Sequence, residues 1–201
     1  FPSTNPVAST SRDQINGAVL GMRFSTSVNG FITGVRFYKA ASDIGTHQGL
    51  LFNSSGTLLA QADFTGETAS GWQEVSFSTP VAVDANTSYV IAYLSSKGYY
   101  TYVEGYFLTS HYNGPITALA DGIGGKNGLI FYSNTPVLPT NNYNSSSYMV
   151  DMVFSTSVPA DETAPSIISN TPLSNATEVP LASNIVITFN EELLQGSINN
   201  L

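Results

Sequence analysis

Short runs in which apolar and polar residues alternate with a period of two recur about every ten positions, and no segment carries the 3.6-residue period of a helix. Leu20, Met22 and Phe24 alternate with Gly21, Arg23 and Ser25, so three apolar side chains share one face of a strand. Asn29-Gly30 reads as a hairpin-type turn, after which Phe31, Val35 and Phe37 face one way and Arg36 the other. Gly49–Phe52 and Thr57–Ala60 predict a hairpin closed by Asn53-Ser54-Ser55-Gly56. Residues 71–83 predict a long strand with Val75 and Phe77 on one face and Trp72, Glu74 and Ser76 on the other. Tyr89–Leu94 is apolar on both faces, as a central strand covered on both sides must be. Tyr99–Val103 is a further strand, and in Asn113–Ser147 only Leu129–Tyr132 has a strand pattern. The last strand puts Tyr148, Val150, Met152 and Phe154 opposite Met149, Asp151 and Val153.

Eight or nine short strands without helices predict an all-β fold, a jelly-roll-type β-sandwich of two antiparallel sheets, because two half-apolar sheets bury their faces against each other. A barrel is the alternative. The sandwich takes residues 1–158; Ser, Thr, Pro and Ala with Asp161 and Glu162 mark 159–165 as a linker. Residues 166–201 contain one clear strand, Ile185–Phe189, and are too few for an Ig-like core of about 100 residues.

Charge narrows the function classes. Only 10% of residues are charged, so Ser, Thr, Asn and Tyr carry the polar surface. The net charge is −8, with six bases and nine acids in 1–158 and five acids without a base in 159–201. With no basic patch, attraction to a phosphate backbone is missing, which argues against nucleic acid and strongly anionic polymers. No cysteine is present, which removes disulfides, thiolate metal sites and a Cys nucleophile. No apolar stretch is long enough to predict membrane insertion. These features together suit a secreted or cell-surface β domain.

Several segments line up with one family: Leu20-Gly21-Met22-Arg23-Phe24, Gly34-Val35-Arg36-Phe37-Tyr38-Lys39, Gly45-Thr46-His47, Gly56–Ala60, Gly66–Gln73, Phe77–Val83 and Tyr148-Met149-Val150-Asp151. Over roughly Gly17 to Phe154 the chain resembles the bacterial domain of unknown function 4082. The resemblance implies an accessory role in large secreted bacterial proteins, covalently linked to catalytic or Ig-like domains. Where the family often has Leu-Trp this chain has Leu51-Phe52, which weakens any Trp-dependent contact there. Ala164–Ile167, Thr171-Pro172, Glu178–Pro180 and Ile185–Glu191 resemble the opening of a bacterial Ig-like domain.

Candidate chemistry follows from few residues. With only His47 and His111, and no Gly-x-Ser-x-Gly, His-Glu-x-x-His or phosphate loop, the inventory predicts no enzyme. The predicted ligand is a neutral polysaccharide held by exposed aromatics. Trp72, opposite the core face, is a candidate stacking platform, the other reading being a ring that covers the core edge. Tyr99 and Tyr102 belong to a cluster with Tyr100, Tyr106, Phe107 and Tyr112 that one face cannot hold. His47 can bond a sugar hydroxyl or brace its turn, and Lys39 joins it at one rim if both loops emerge together. Asp151, on an apolar strand face, needs compensation. Tyr148–Asp151 resembles the arrangement by which jelly-roll binding modules hold a structural Ca²⁺, with Asp13 and Asn16 as further ligands; an amide or an arginine is the alternative partner.

Overall fold

A computed structural model describes residues 8–12, 16–157 and 165–191. The chain divides into two compact units, Phe1–Pro159 and Ala160–Leu201.

The first unit opens with eight strands: β1 (Ser9–Arg12), β2 (Ala18–Thr26), β3 (Gly30–Lys39), β4 (His47–Asn53), β5 (Leu58–Asp63), β6 (Gly71–Val83), β7 (Ser88–Ser95) and β8 (Tyr99–Tyr102). Their antiparallel pairing is nested: β4 with β5, β3 with β6, β2 with β7, and β1 with β8. A long hairpin rolled up in this way is a jelly roll. Four short strands follow, β9 (His111–Asn113), β10 (Ile116–Ala118), β11 (Leu129–Phe131) and β12 (Asn141–Asn142), and β13 (Val150–Ser155) closes the unit. The largest sheet has the order β12-β11-β2-β7-β4-β5, with β10 on the Ser25–Thr26 end of β2; the facing sheet is β13-β3-β6, and β1-β8 forms a separate two-stranded sheet.

Asn29-Gly30 does not close a hairpin. β2 and β3 belong to opposite sheets, and Phe24 and Ile32 meet in the same core between them. The segment is a corner: Asn29 Oδ1 accepts a bond from the Ala85 amide at 2.8 Å. A Cβ on Gly30 would collide with the Phe154 ring, so glycine is what lets the chain cross there.

Alternation along β7 explains how it can be apolar throughout. Tyr89, Ile91 and Tyr93 enter the core between the sheets. Val90, Ala92 and Leu94 join Val19, Leu50, Phe52 and Leu129 in a second core on the outer face, against which Val137 and Leu138 pack. The Gly-, Asn- and Pro-rich stretch before β13 is therefore partly a lid over the larger sheet, with more pairing than its pattern predicts. Phe52 is buried in that outer core and offers no surface contact.

The described part of the second unit is a hairpin of β14 (Ile167–Thr171) and β15 (Val186–Phe189). Ile167, Ile168, Ile185, Val186 and Ile187 are exposed on it.

Candidate functional site

A cleft of about 390 Å³ opens where β1 and β8 approach the segments after β11 and β12. Tyr100, Tyr102, Tyr132, Tyr143 and Tyr148 line it with Ser11, Ile130 and Glu104. Register puts Ser11 opposite Tyr100, and alternation along β8 turns Tyr100 and Tyr102 to the same side. Tyr100, Tyr148 and Ile130 are buried members of the central core and form the floor. Tyr132 and Tyr143 are 44% and 59% exposed and stand at the mouth. The floor is stiff: the Tyr100 ring meets Tyr148 edge to face at 5.5 Å and Tyr102 at 5.9 Å.

The backbone on either side of Glu104 is tied to the segment that carries Tyr143 and Tyr148. Val103 and Ser147 exchange amide bonds at 2.9 Å, and the Gly105 amide donates to Asn144 O at 2.9 Å. Gly105 takes φ 69°, a left-handed conformation that costs glycine little and lets the chain turn into the short 3-10 helix Tyr106–Leu108. Rings and carboxylate are thus placed by one set of backbone bonds.

Of the residues predicted to bind ligand, Tyr102 lines this cleft and the others lie elsewhere. Tyr99 points to the opposite face of β8, where the Arg12 guanidinium sits 4.7 Å from its ring centroid. Trp72 is on the outer face of the smaller sheet, as alternation predicts. Its register partner there is Tyr38, which meets the indole edge to face at 5.7 Å, and Arg36 lies over the ring at 4.9 Å. Neighbours already occupy part of its aromatic surface.

Lys39 and His47 do come together, but below the surface rather than at a rim. Lys39 Nζ is 2.7 Å from Glu67 Oε2, and His47 Nδ1 is 2.9 Å from Glu67 Oε1. His47 Nε2 is 3.2 Å from Asp43 Oδ1, and the residue is 1% exposed, with the Phe37 ring 4.6 Å away. An imidazole so enclosed has no open face for a sugar, so the ligand-binding reading of His47 and Lys39 is corrected. Burial lowers the His47 pKa, but hydrogen bonds and charge from Asp43 and Glu67 outweigh it, and the net shift is upward.

Asp151 has an arginine as its compensating partner. Its register neighbour Arg36 places Nη2 3.9 Å from Oδ2, and the Met152 amide donates to Oδ1 at 2.9 Å. Asn16 precedes β2, whereas Ile116, which lines the same hollow as Asp151, pairs with Thr26 at the far end of that strand, about 25 Å along it. Asp13 lies outside the described residues. A guanidinium beside the carboxylate opposes a dication, and among the described residues no three His, Asp or Glu side chains cluster to hold a metal. Asp151 and Asn16 therefore do not share one calcium shell.

Sequence reading missed Ser11, Glu104, Ile130, Tyr132, Tyr143 and Tyr148 as neighbours of Tyr102. Only long-range pairing joins them: β11 to β2, β1 to β8 and the Val103–Ser147 bridge. The one local signal was the density of tyrosine itself.

Rolled antiparallel strands around an aromatic cleft define the first unit as a jelly-roll domain. Residues 3–150 match the family described as Domain of unknown function (DUF4082), and the chain belongs to it. Residues 161–201 match a Bacterial Ig-like domain, a kind of domain typical of extracellular and surface proteins. No curated protein matches the chain.

Proposed function

We propose that the first unit is a non-catalytic carbohydrate-binding accessory module of a secreted or surface-attached bacterial protein, and that the tyrosine cleft is where it takes a polysaccharide. The observation that carries this reading is the cleft itself, with its five tyrosines, two of them standing exposed at the mouth. The C–H face of a pyranose ring is apolar and stacks on an aromatic face, while phenol hydroxyls supply hydrogen bonds at small entropic cost. Among the described lining residues Glu104 is the only carboxylate, and glycoside hydrolysis ordinarily needs a pair, which favours binding without cleavage.

The alternative is a structural or adhesive spacer with no small ligand, favoured by the Bacterial Ig-like match that follows. Affinity electrophoresis through gels containing glucans, galactans, soluble chitin derivatives or alginate separates the two. Retardation by at least one gel supports the module; free migration through all of them supports the spacer.

A further inference from the structure

We infer that the cleft selects sugars carrying a free ammonium group, as in glucosamine polymers, over their acetylated or neutral counterparts and against uronates. This rests on the cleft being the carbohydrate site. Two observations on charge carry it. Among the described residues Glu104 is the only charged side chain lining the cleft, and its carboxylate has no hydrogen-bonding or ionic partner there. All six basic residues of the chain are placed elsewhere. Arg12 lies over Tyr99 on the other face of the sheet; Arg23 donates to Lys126 O at 3.0 Å; Arg36 lies between Trp72 and Asp151. Lys39 is paired with Glu67, Lys97 packs over Gly45, and Lys126 donates to Thr140 O at 3.4 Å.

Among the described residues the cleft therefore offers an unpaired carboxylate beside aromatic rings and no counter-cation. Ring faces carry negative quadrupole potential and attract an ammonium within about 6 Å of the centroid. A carboxylate beside them adds a charge-assisted hydrogen bond. An N-acetyl group forfeits both, and a uronate meets repulsion from the same groups. The expected neutral ligand is thereby refined to a cationic one.

The test is isothermal titration of the full chain with glucosamine, N-acetylglucosamine, glucose and glucuronate oligomers of equal length, in low-salt buffer acidic enough to protonate the amine. The glucosamine oligomer should bind roughly three- to tenfold more tightly than the N-acetyl and glucose oligomers, as expected of one exposed ion pair plus ring contacts. Glu104→Gln should remove that margin, bringing the glucosamine oligomer to the affinity that the same variant shows for the glucose oligomer, while leaving the melting temperature unchanged. Equal affinity for charged and neutral oligomers, or a margin that survives Glu104→Gln, overturns the selectivity and leaves the carbohydrate site standing. Binding of none of the four overturns the selectivity, and free migration through the polysaccharide gels as well overturns the site itself.

Discussion

Tyr100 and Tyr148 meet edge to face, ring centroids 5.5 Å apart and planes inclined at 82°, although the first belongs to β8 and the second to the approach to β13. Both are core residues, at 6% and 3% exposure, and both reach the floor of the cleft. The same contact thus holds the sandwich together and shapes the site. Replacing either ring by alanine should cost about 3–5 kcal/mol of stability, the usual result of emptying an aromatic core position. Thermal or urea unfolding of Tyr148→Ala reads this directly, and a stability near that of the wild type would show that the ring is dispensable to the core.

Trp72→Ala should leave polysaccharide affinity unchanged, because the indole is outside the cleft. Its loss removes the contact with the Arg36 guanidinium, worth about 0.5–1 kcal/mol at an exposed site, together with its packing on Tyr38. The expected result is a small drop in melting temperature with unaltered retardation in affinity gels. A variant that keeps its stability and loses retardation would move the site to this face.

The clamp around His47 should make stability depend on pH. Its folded pKa is raised above 6.5, so the folded state binds the proton more tightly than the unfolded chain does. That contribution is fully present below the unfolded pKa and is lost as pH rises through the higher folded value. Melting temperature should therefore fall over that interval, and Glu67→Gln, which removes one of the two carboxylates, should flatten the fall. A melting temperature that rises across the same interval would contradict the assignment.

Excess chelator should leave the melting curve where it is, since Arg36 and the Met152 amide already compensate Asp151. Asp151→Asn should destabilise by about 1–3 kcal/mol, the usual cost of disrupting a buried hydrogen-bonded group. A chelator-induced drop that added Ca²⁺ reverses would reinstate the metal.

Period-two patterning shows most of the strands directly. The Trp72 face, the two-sided burial of Tyr89–Leu94 and the extent of β6 all follow from it, because side-chain direction in a strand is a local property. What patterning cannot carry is which strand lies beside which. Asn29-Gly30 has the composition of a hairpin turn, yet it crosses between sheets, because the choice is set by where Phe24 and Ile32 find common cover. The cleft was half legible for the same reason: Tyr102 sits in a visible cluster, while Tyr132 and Tyr143 join it only through long-range pairing. For Asp151 the need for a partner was readable from its apolar face, and register is what brings Arg36 beside it.

The central claim is that the exposed tyrosines at the cleft mouth hold a sugar chain. Titration of the best-retarding polysaccharide into Tyr132→Ala and Tyr143→Ala, with thermal unfolding of the same samples, tests it most directly. The account predicts that each substitution weakens binding by about 1–3 kcal/mol, by analogy with base stacking on aromatic platforms, and leaves the melting temperature nearly unchanged. Wild-type affinity in both variants would contradict it.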